Sequence, residues 1–358
     1  MFGLFKKKRA EEPHMRQGVQ IGEMLQGPIE TIEILSKLGS DISDFKRCND
    51  TTFCFAYNNL IVEADSIKNL SELSLLTRVR ECQVDSCKSI PEKAFAYRCI
   101  DHVCFKVPGV RAFFDPATGE LMIGVQSDGF FDQYRADTLI DIALNMLERG
   151  VLEARSYLGL PTQEVEPVQV DQWDGGYHFG GFSTYRNAQE AFVAYMVKKK
   201  QCEEIGREGN MIFLQSGPVR YAVRGFGWPN GYMVGTSTPG FKHAYQDDER
   251  YVRIQERLAQ DIHKPHDQDP RSVPMNFRDP RRSTIAYFQP DGTFVLGEYG
   301  FANTRSNENE KAFDGVATAQ MMNVFYMTYL AEELPDDLYS DTASSSEPHR
   351  PAEAEKGE

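Results

Sequence analysis

One pattern occurs twice in this chain and constrains its architecture more than any other. Ala112 to Gly124 reads AFFDPATGELMIG, and Ala286 to Gly297 reads AYFQPDGTFVLG. Each runs through Ala, two aromatics, a polar residue and Pro to a short turn closing on Gly. A polar residue, a bulky apolar triplet and a final Gly follow. Such a segment predicts a β-hairpin. Pro116 and Pro290 preset φ for the turn, and Gly119 and Gly292 supply the positive φ before the return strand. The second turn is one residue shorter. A third hairpin is expected around Trp228-Pro229-Asn230-Gly231, between RYAVRGFG and GYMVGTS.

A helix follows each shared hairpin. After the first, Leu139, Ile142, Ala143, Met146, Leu147, Val151, Ala154 and Leu158 keep the three-four spacing of one buried face. After the second, Phe313, Val316, Ala317, Met321, Val324, Phe325 and Leu330 do the same over about 308–333. Each block also opens with a helix. The first carries Ile21, Met24, Leu25, Ile29, Ile32 and Leu35, and the second spans about 187–204. Hairpins outweigh strand-helix-strand alternation, so the expected class is α+β. The expected architecture is two related units, each an antiparallel sheet flanked by an N-terminal and a C-terminal helix, with internal duplication as the reading. The competing reading is chance similarity, because turn chemistry draws on few residue types.

The boundaries follow from composition. Residues 1–16 form a charged, Pro-containing lead, 17–160 the first unit and 161–184 a Gly- and Pro-rich linker. Residues 185–334 form the second unit, with a charged insertion at about 241–282 expected to carry an exposed helix. Residues 335–358 are acidic and poor in bulky apolar groups, so a disordered tail is expected.

Charge narrows the partners. Acidic residues number 53 against 39 basic ones, for a formal net charge of −14. Such a chain repels polyanions at long range, which disfavours nucleic acid as a partner. No apolar run approaches the roughly 18 to 20 residues of a spanning helix. The start, MFGLFKKKR, places apolar residues before basic ones, the reverse of a secretory signal. A cytoplasmic location is therefore expected, with the seven cysteines as free thiols or ligands.

Six of those cysteines fall between positions 48 and 104. Cys82 and Cys87 form one C-x4-C pair, and Cys99 and Cys104 another. Four converging thiolates would make a structural zinc site. Against that, RECQVD and YRCIDHVCFKV alternate like strands, in which free cysteine is a small buried apolar residue. On one strand, Cys99 and Cys104 would face opposite sides. The expectation is no cofactor, with zinc at these thiols as the weaker alternative.

The segment Asp261 to Asp269, DIHKPHDQD, offers His263, His266 and Asp267 as ligands or bases. Pro265 interrupts the helix that a paired-histidine site requires, which favours a solvated loop. His178 sits in GGYHFGGF, a Gly-rich stretch without the lysine of a phosphate-binding loop. At the start, Phe2, Leu4 and Phe5 precede Lys6, Lys7, Lys8 and Arg9, an arrangement suited to weak, reversible contact with anionic lipid at the inner membrane surface. This segment resembles the short apolar-then-basic starts of some bacterial peripheral membrane proteins.

Two functions are consistent with these features. The first is a non-catalytic binding or adaptor protein that engages a protein partner, with residues 241–282 as the expected surface. The second is a metal-assisted hydrolase using His178, His263, His266 and Asp267 between the units.

Overall fold

The structure is a computed structural model that describes residues 42–48, 52–66, 72–128, 136–163, 177–178, 184–225, 231–238, 241–262, 284–301 and 306–333. Among these, two six-stranded antiparallel sheets and six α-helices make an α+β fold. The first sheet begins as a meander of β1 (Ile42–Arg47), β2 (Thr52–Tyr57), β3 (Leu60–Ser66) and β4 (Glu72–Gln83). Asn58 and Asn59 both take positive φ between β2 and β3, the requirement of a two-residue hairpin turn that twists with its strands. Helix α1 (Ile90–Lys106) then leads to β5 (Arg111–Phe114) at the sheet edge, and β6 (Glu120–Asp128) inserts between β5 and β4. Helix α2 (Ala136–Tyr157) follows.

A two-stranded pair, β7 (Tyr177–His178) with β8 (Thr184–Tyr185), and helix α3 (Ala188–Lys199) precede the second sheet. Its meander is β9 (Glu203–Glu208), β10 (Met211–Ser216), β11 (Val219–Gly225) and β12 (Gly231–Thr238). Two helices, α4 (Lys242–Gln246) and α5 (Asp248–Ile262), lead to the edge strand β13 (Thr284–Phe288). Strand β14 (Phe294–Phe301) returns between β13 and β12, and α6 (Ser306–Glu333) closes the described chain. The strand orders are β1-β2-β3-β4-β6-β5 and β9-β10-β11-β12-β14-β13, so one connectivity is used twice.

Both shared hairpins form as their turn residues require. Gly119 and Gly292 sit at φ +66° and +79°. Each turn is closed by its glycine N–H on the residue before proline, Asp115 O and Gln289 O, both at 2.8 Å. The strands expected on either side of Trp228-Pro229-Asn230-Gly231 pair as β11 and β12, while residues 226–230 lie outside the described residues.

Two apolar cores hold the fold. The smaller one packs α3 over β10, β11 and β12, with Phe192, Tyr232 and Phe313 in mutual ring contact. The larger core does not stop at the boundary between the units. It joins α1, α2 and the first sheet to Tyr251, Ile254 and Leu258 of α5, and to β13, β14 and the end of α6.

Three expectations are corrected here. YRCIDHVCFKV is helical, not extended, and belongs to α1. Ser89 caps this helix by accepting from the Glu92 N–H, Pro91 sits in the first turn, and the Glu92 carboxylate accepts from the Lys88 N–H at 2.6 Å. These local signals outweigh the short apparent alternation. The helix expected to be exposed in residues 241–282 is α5, and Tyr251, Val252, Ile254 and Leu258 bury its apolar stripe. Finally, Cys48 and Cys54 form a disulfide across the β1–β2 hairpin, their Cα atoms 6.5 Å apart, so the cysteines are not all free thiols. The opening helix of the first unit, the lead 1–16 and the tail 335–358 lie outside the described residues, as does most of the linker 161–184.

Candidate functional site

Strand β4 ends at Gln83, passes through the tight turn Val84–Ser86 and enters α1 at its Ser89 cap. This corner and the end of α2 line an open pocket of about 440 Å³. Cys82, Cys87, Glu81, Glu92, Phe95 and Leu158 are among its lining residues. Phe95 is half exposed and stacks on Tyr157 with ring centroids 5.0 Å apart, so the cavity has an apolar wall open to solvent. Arg155 ties Glu81 to α2 at 2.5 Å.

Cys99 is fully buried on α1 and donates its S–H to the Ala154 carbonyl at 3.8 Å. The neighbouring Cys99 side chain lowers the Cys82 pKa below the ordinary thiol value, against the rise that burial brings. Cys82, with burial, drives the Cys99 pKa far upward. Burial raises Cys87, and the neighbouring charges of Cys82, Glu92 and Asp85 add to that. Cys104 stands apart and takes its hydrogen bond from the Ala112 backbone of β5. Burial pushes it up to about 12. The fold therefore places Cys82 and Cys87 on one pocket and buries Cys99 and Cys104 on α1. Among the described residues, no three His, Cys, Asp or Glu side chains are arranged to hold a metal ion.

The other candidates fall elsewhere. His178 lies in β7, where it pairs with Thr184. His263, His266 and Asp267 lie outside the described residues, as do Phe2, Leu4, Phe5, Lys6, Lys7, Lys8 and Arg9. Among the described residues, no helix is long and apolar enough to cross a membrane.

A second polar centre was not anticipated from the sequence. Asp101, on α1, is 3% exposed. Its carboxylate accepts from the Tyr251 hydroxyl at 2.5 Å, Gln255 Nε2 at 3.3 Å and the Phe288 N–H at 2.9 Å. These donors come from α5 and β13, so one carboxylate of the first unit holds two elements of the second. Burial raises its pKa to about 7, against the pull of those hydrogen bonds. Arg98, one turn earlier, pairs with Asp248 at 2.6 Å and lies over the Tyr245 and Tyr251 rings.

The third feature is a face of α6. Phe313, Val316, Ala317, Gln320, Asn323 and Leu330 are buried. Met321, Phe325 and Tyr329, four residues apart in turn, are 45%, 65% and 39% exposed. That spacing aligns them in one apolar row on the helix. Arg257 of α5 donates to the Tyr329 hydroxyl at 2.7 Å and lies over its ring, fixing one end of the row.

The fold and these sites thus define an α+β protein of two antiparallel sheets with a thiol-lined cavity, a buried carboxylate at the junction and an exposed apolar helix face. No protein-family model, no curated protein and no solved structure matches the chain.

Proposed function

We propose that this chain is a non-catalytic binding protein, an adaptor that engages a protein partner through the exposed face of α6. The observation that carries this reading is the row Met321, Phe325 and Tyr329 on a helix whose other face is packed. Single exposed apolar residues are ordinary, but a contiguous row marks an interaction surface. Met, aromatic residues and Arg are enriched at protein interfaces, and Arg257 completes such a set here. The burial of α5 moves the candidate surface from residues 241–282 to α6. The shared strand order and the two Pro–Gly hairpins support internal duplication as the origin of the two units.

The test places a photo-activated cross-linking residue at Phe325 in the full chain inside its native cells. The expected result is one adduct of defined mass with a different protein. Met321→Glu in the same chain should remove that adduct and leave the thermal transition unchanged. An adduct that persists in the variant, or one formed only between copies of this chain, overturns the reading.

A further inference from the structure

We propose that the Cys48–Cys54 disulfide is a reversible redox switch that locks the edge strand β1 onto β2. The proposal is independent of the α6 surface. Three observations carry it. Among the described residues, β1 is the outermost strand of the first sheet, paired with β2 alone, and this disulfide is the covalent tie between the two. The rest of the tie is weak. A bulge interrupts the β1–β2 ladder between Ser43 and Lys46, Asp44 takes φ +56° there, and Ser43, Asp44 and Lys46 are exposed. Finally, the bond is within reach of a reagent. Cys48 is exposed, and Cys54 lies on the face of β2 opposite Phe55 and Tyr57, which enter the core. Exposed disulfides belong to the labile, regulatory class, whereas structural ones resist reduction by the glutathione pool.

The chemistry balances with a small thiol, R–SH, as the sole reductant. Its thiolate attacks the exposed Cys48 sulfur. A Cys48–S–R bond forms, the Cys48–Cys54 bond breaks, and Cys54 leaves as a thiolate and takes up a proton. Lys46 is paired with Cys54 across the ladder and so shares its face, which sets a cation beside the leaving sulfur. Glu63, paired with Cys54 from the other side, is engaged by Arg78 at 3.1 Å. A second R–S⁻ then attacks the reagent's sulfur in the mixed disulfide. R–S–S–R forms, and Cys48 leaves and is protonated. Two reagent thiols are oxidised to one disulfide and supply the two protons, and one protein disulfide is reduced to two thiols. With the cross-link gone, β1 opens from the sheet and β2 becomes the edge, its outer N–H and C=O groups unpaired. Oxidation by R–S–S–R reverses each step and closes the strand again.

The test equilibrates the full chain in glutathione buffers of graded thiol-to-disulfide ratio. Free thiols are alkylated, and the tryptic peptide Cys48–Lys68, which holds both cysteines, is read by mass spectrometry. The expected result is a graded and reversible conversion between the disulfide and the doubly alkylated peptide. Hydrogen–deuterium exchange on the two end states then reads the strand. Reduction should speed exchange in β1 and β2 at least about tenfold. It should leave β9 and β10, the equivalent strands of the second sheet, unchanged. The double variant Cys48→Ser with Cys54→Ala should exchange at the fast rate in every buffer. Four results overturn the proposal. A peptide that stays disulfide-bonded across the whole series is one, and a peptide that never forms the disulfide is another. Equal exchange of β1 and β2 in the two states is the third, and an equal rise in β9 and β10 is the fourth.

Discussion

The Tyr251 hydroxyl donates to the Asp101 carboxylate at 2.5 Å, joining α5 of the second unit to α1 of the first through a fully buried contact. The Phe288 N–H and Gln255 converge on the same carboxylate, so one acidic side chain holds two elements of the second unit. Removing it leaves a backbone N–H and two side-chain donors without their acceptor. Asp101→Ala should therefore cost about 3 kcal/mol in denaturant unfolding.

The same carboxylate sets a pH dependence. Burial raises its pKa to about 7, from 3.8 for an ordinary aspartate, so the folded state favours the protonated form. The resulting stabilisation is complete below about pH 4 and is lost as pH rises through 7. Across that window the loss is on the order of 4 kcal/mol. Asp101→Asn cannot ionise and should flatten the stability-pH curve between pH 5 and 8, as measured by urea midpoints at a series of pH values. A curve of unchanged slope would exclude Asp101 as the titrating group.

Arg78 bridges three carboxylates, Glu63 at 3.1 Å, Asp115 at 3.2 Å and Glu120 at 2.9 Å, which come from β3, the hairpin turn and β6. Arg78→Met leaves three like charges around an apolar chain. The expected cost is about 1 to 2 kcal/mol at low salt, shrinking in 1 M NaCl because these side chains are partly solvated. Equal losses at both salt concentrations would assign the effect to packing instead.

Gly297 and Gly124 end the two shared motifs, and each faces the neighbouring strand across the sheet. Gly297 pairs with Gly235, and Gly124 pairs with Leu76. A Cβ at Gly297 would lie 2.8 Å from the Val234 carbonyl oxygen, whereas one at Gly124 would meet the Leu76 Cδ2 at 2.6 Å. A backbone oxygen in a paired strand cannot turn aside, but the end of a leucine can. Gly297→Ala should cost about 3 kcal/mol and Gly124→Ala about 1 kcal/mol, compared by thermal unfolding.

The exposed and buried faces of α6 should separate cleanly in stability. Phe325→Ser changes a residue that is 65% exposed and should move stability by less than about 0.5 kcal/mol. Leu330→Ala empties a fully buried site and should cost about 3 kcal/mol. A large loss from Phe325→Ser would mean that this ring supports the fold, and the proposed binding face would lose its basis.

The two hairpins were legible because their turns are local. Pro116 with Gly119, and Pro290 with Gly292, specify backbone angles within a few residues, and spacing marks the buried face of α2. In α6 the same spacing assigned Met321 and Phe325 to the buried face, yet they are 45% and 65% exposed, because apolar residues occur on both sides of that helix. Helix α1 was legible as well, through Ser89, Pro91 and Glu92, but the alternation in YRCIDHVCFKV pointed the other way. The charged sequence of α5 suggested a solvated helix, yet Tyr251, Ile254 and Leu258 recur at helical spacing and mark a buried stripe. The candidate sites were less accessible. Cys82 and Cys87 were visible as a pair and line one pocket, whereas Cys99 and Cys104 are buried on α1, which the apparent strand pattern hid. Asp101 resembled any solvated acid, because its hydroxyl partner lies 150 residues away.

The sequence alone determined the turn angles, the helix caps and the apolar stripe of α2, since these depend on residues close together in the chain. The tertiary structure alone decided that β6 and β14 insert inside their sheets, that α5 covers α1, and that Asp101 and Cys99 lose contact with water. Strand pairing and desolvation arise between segments far apart in the chain, where no local residue pattern records the partner.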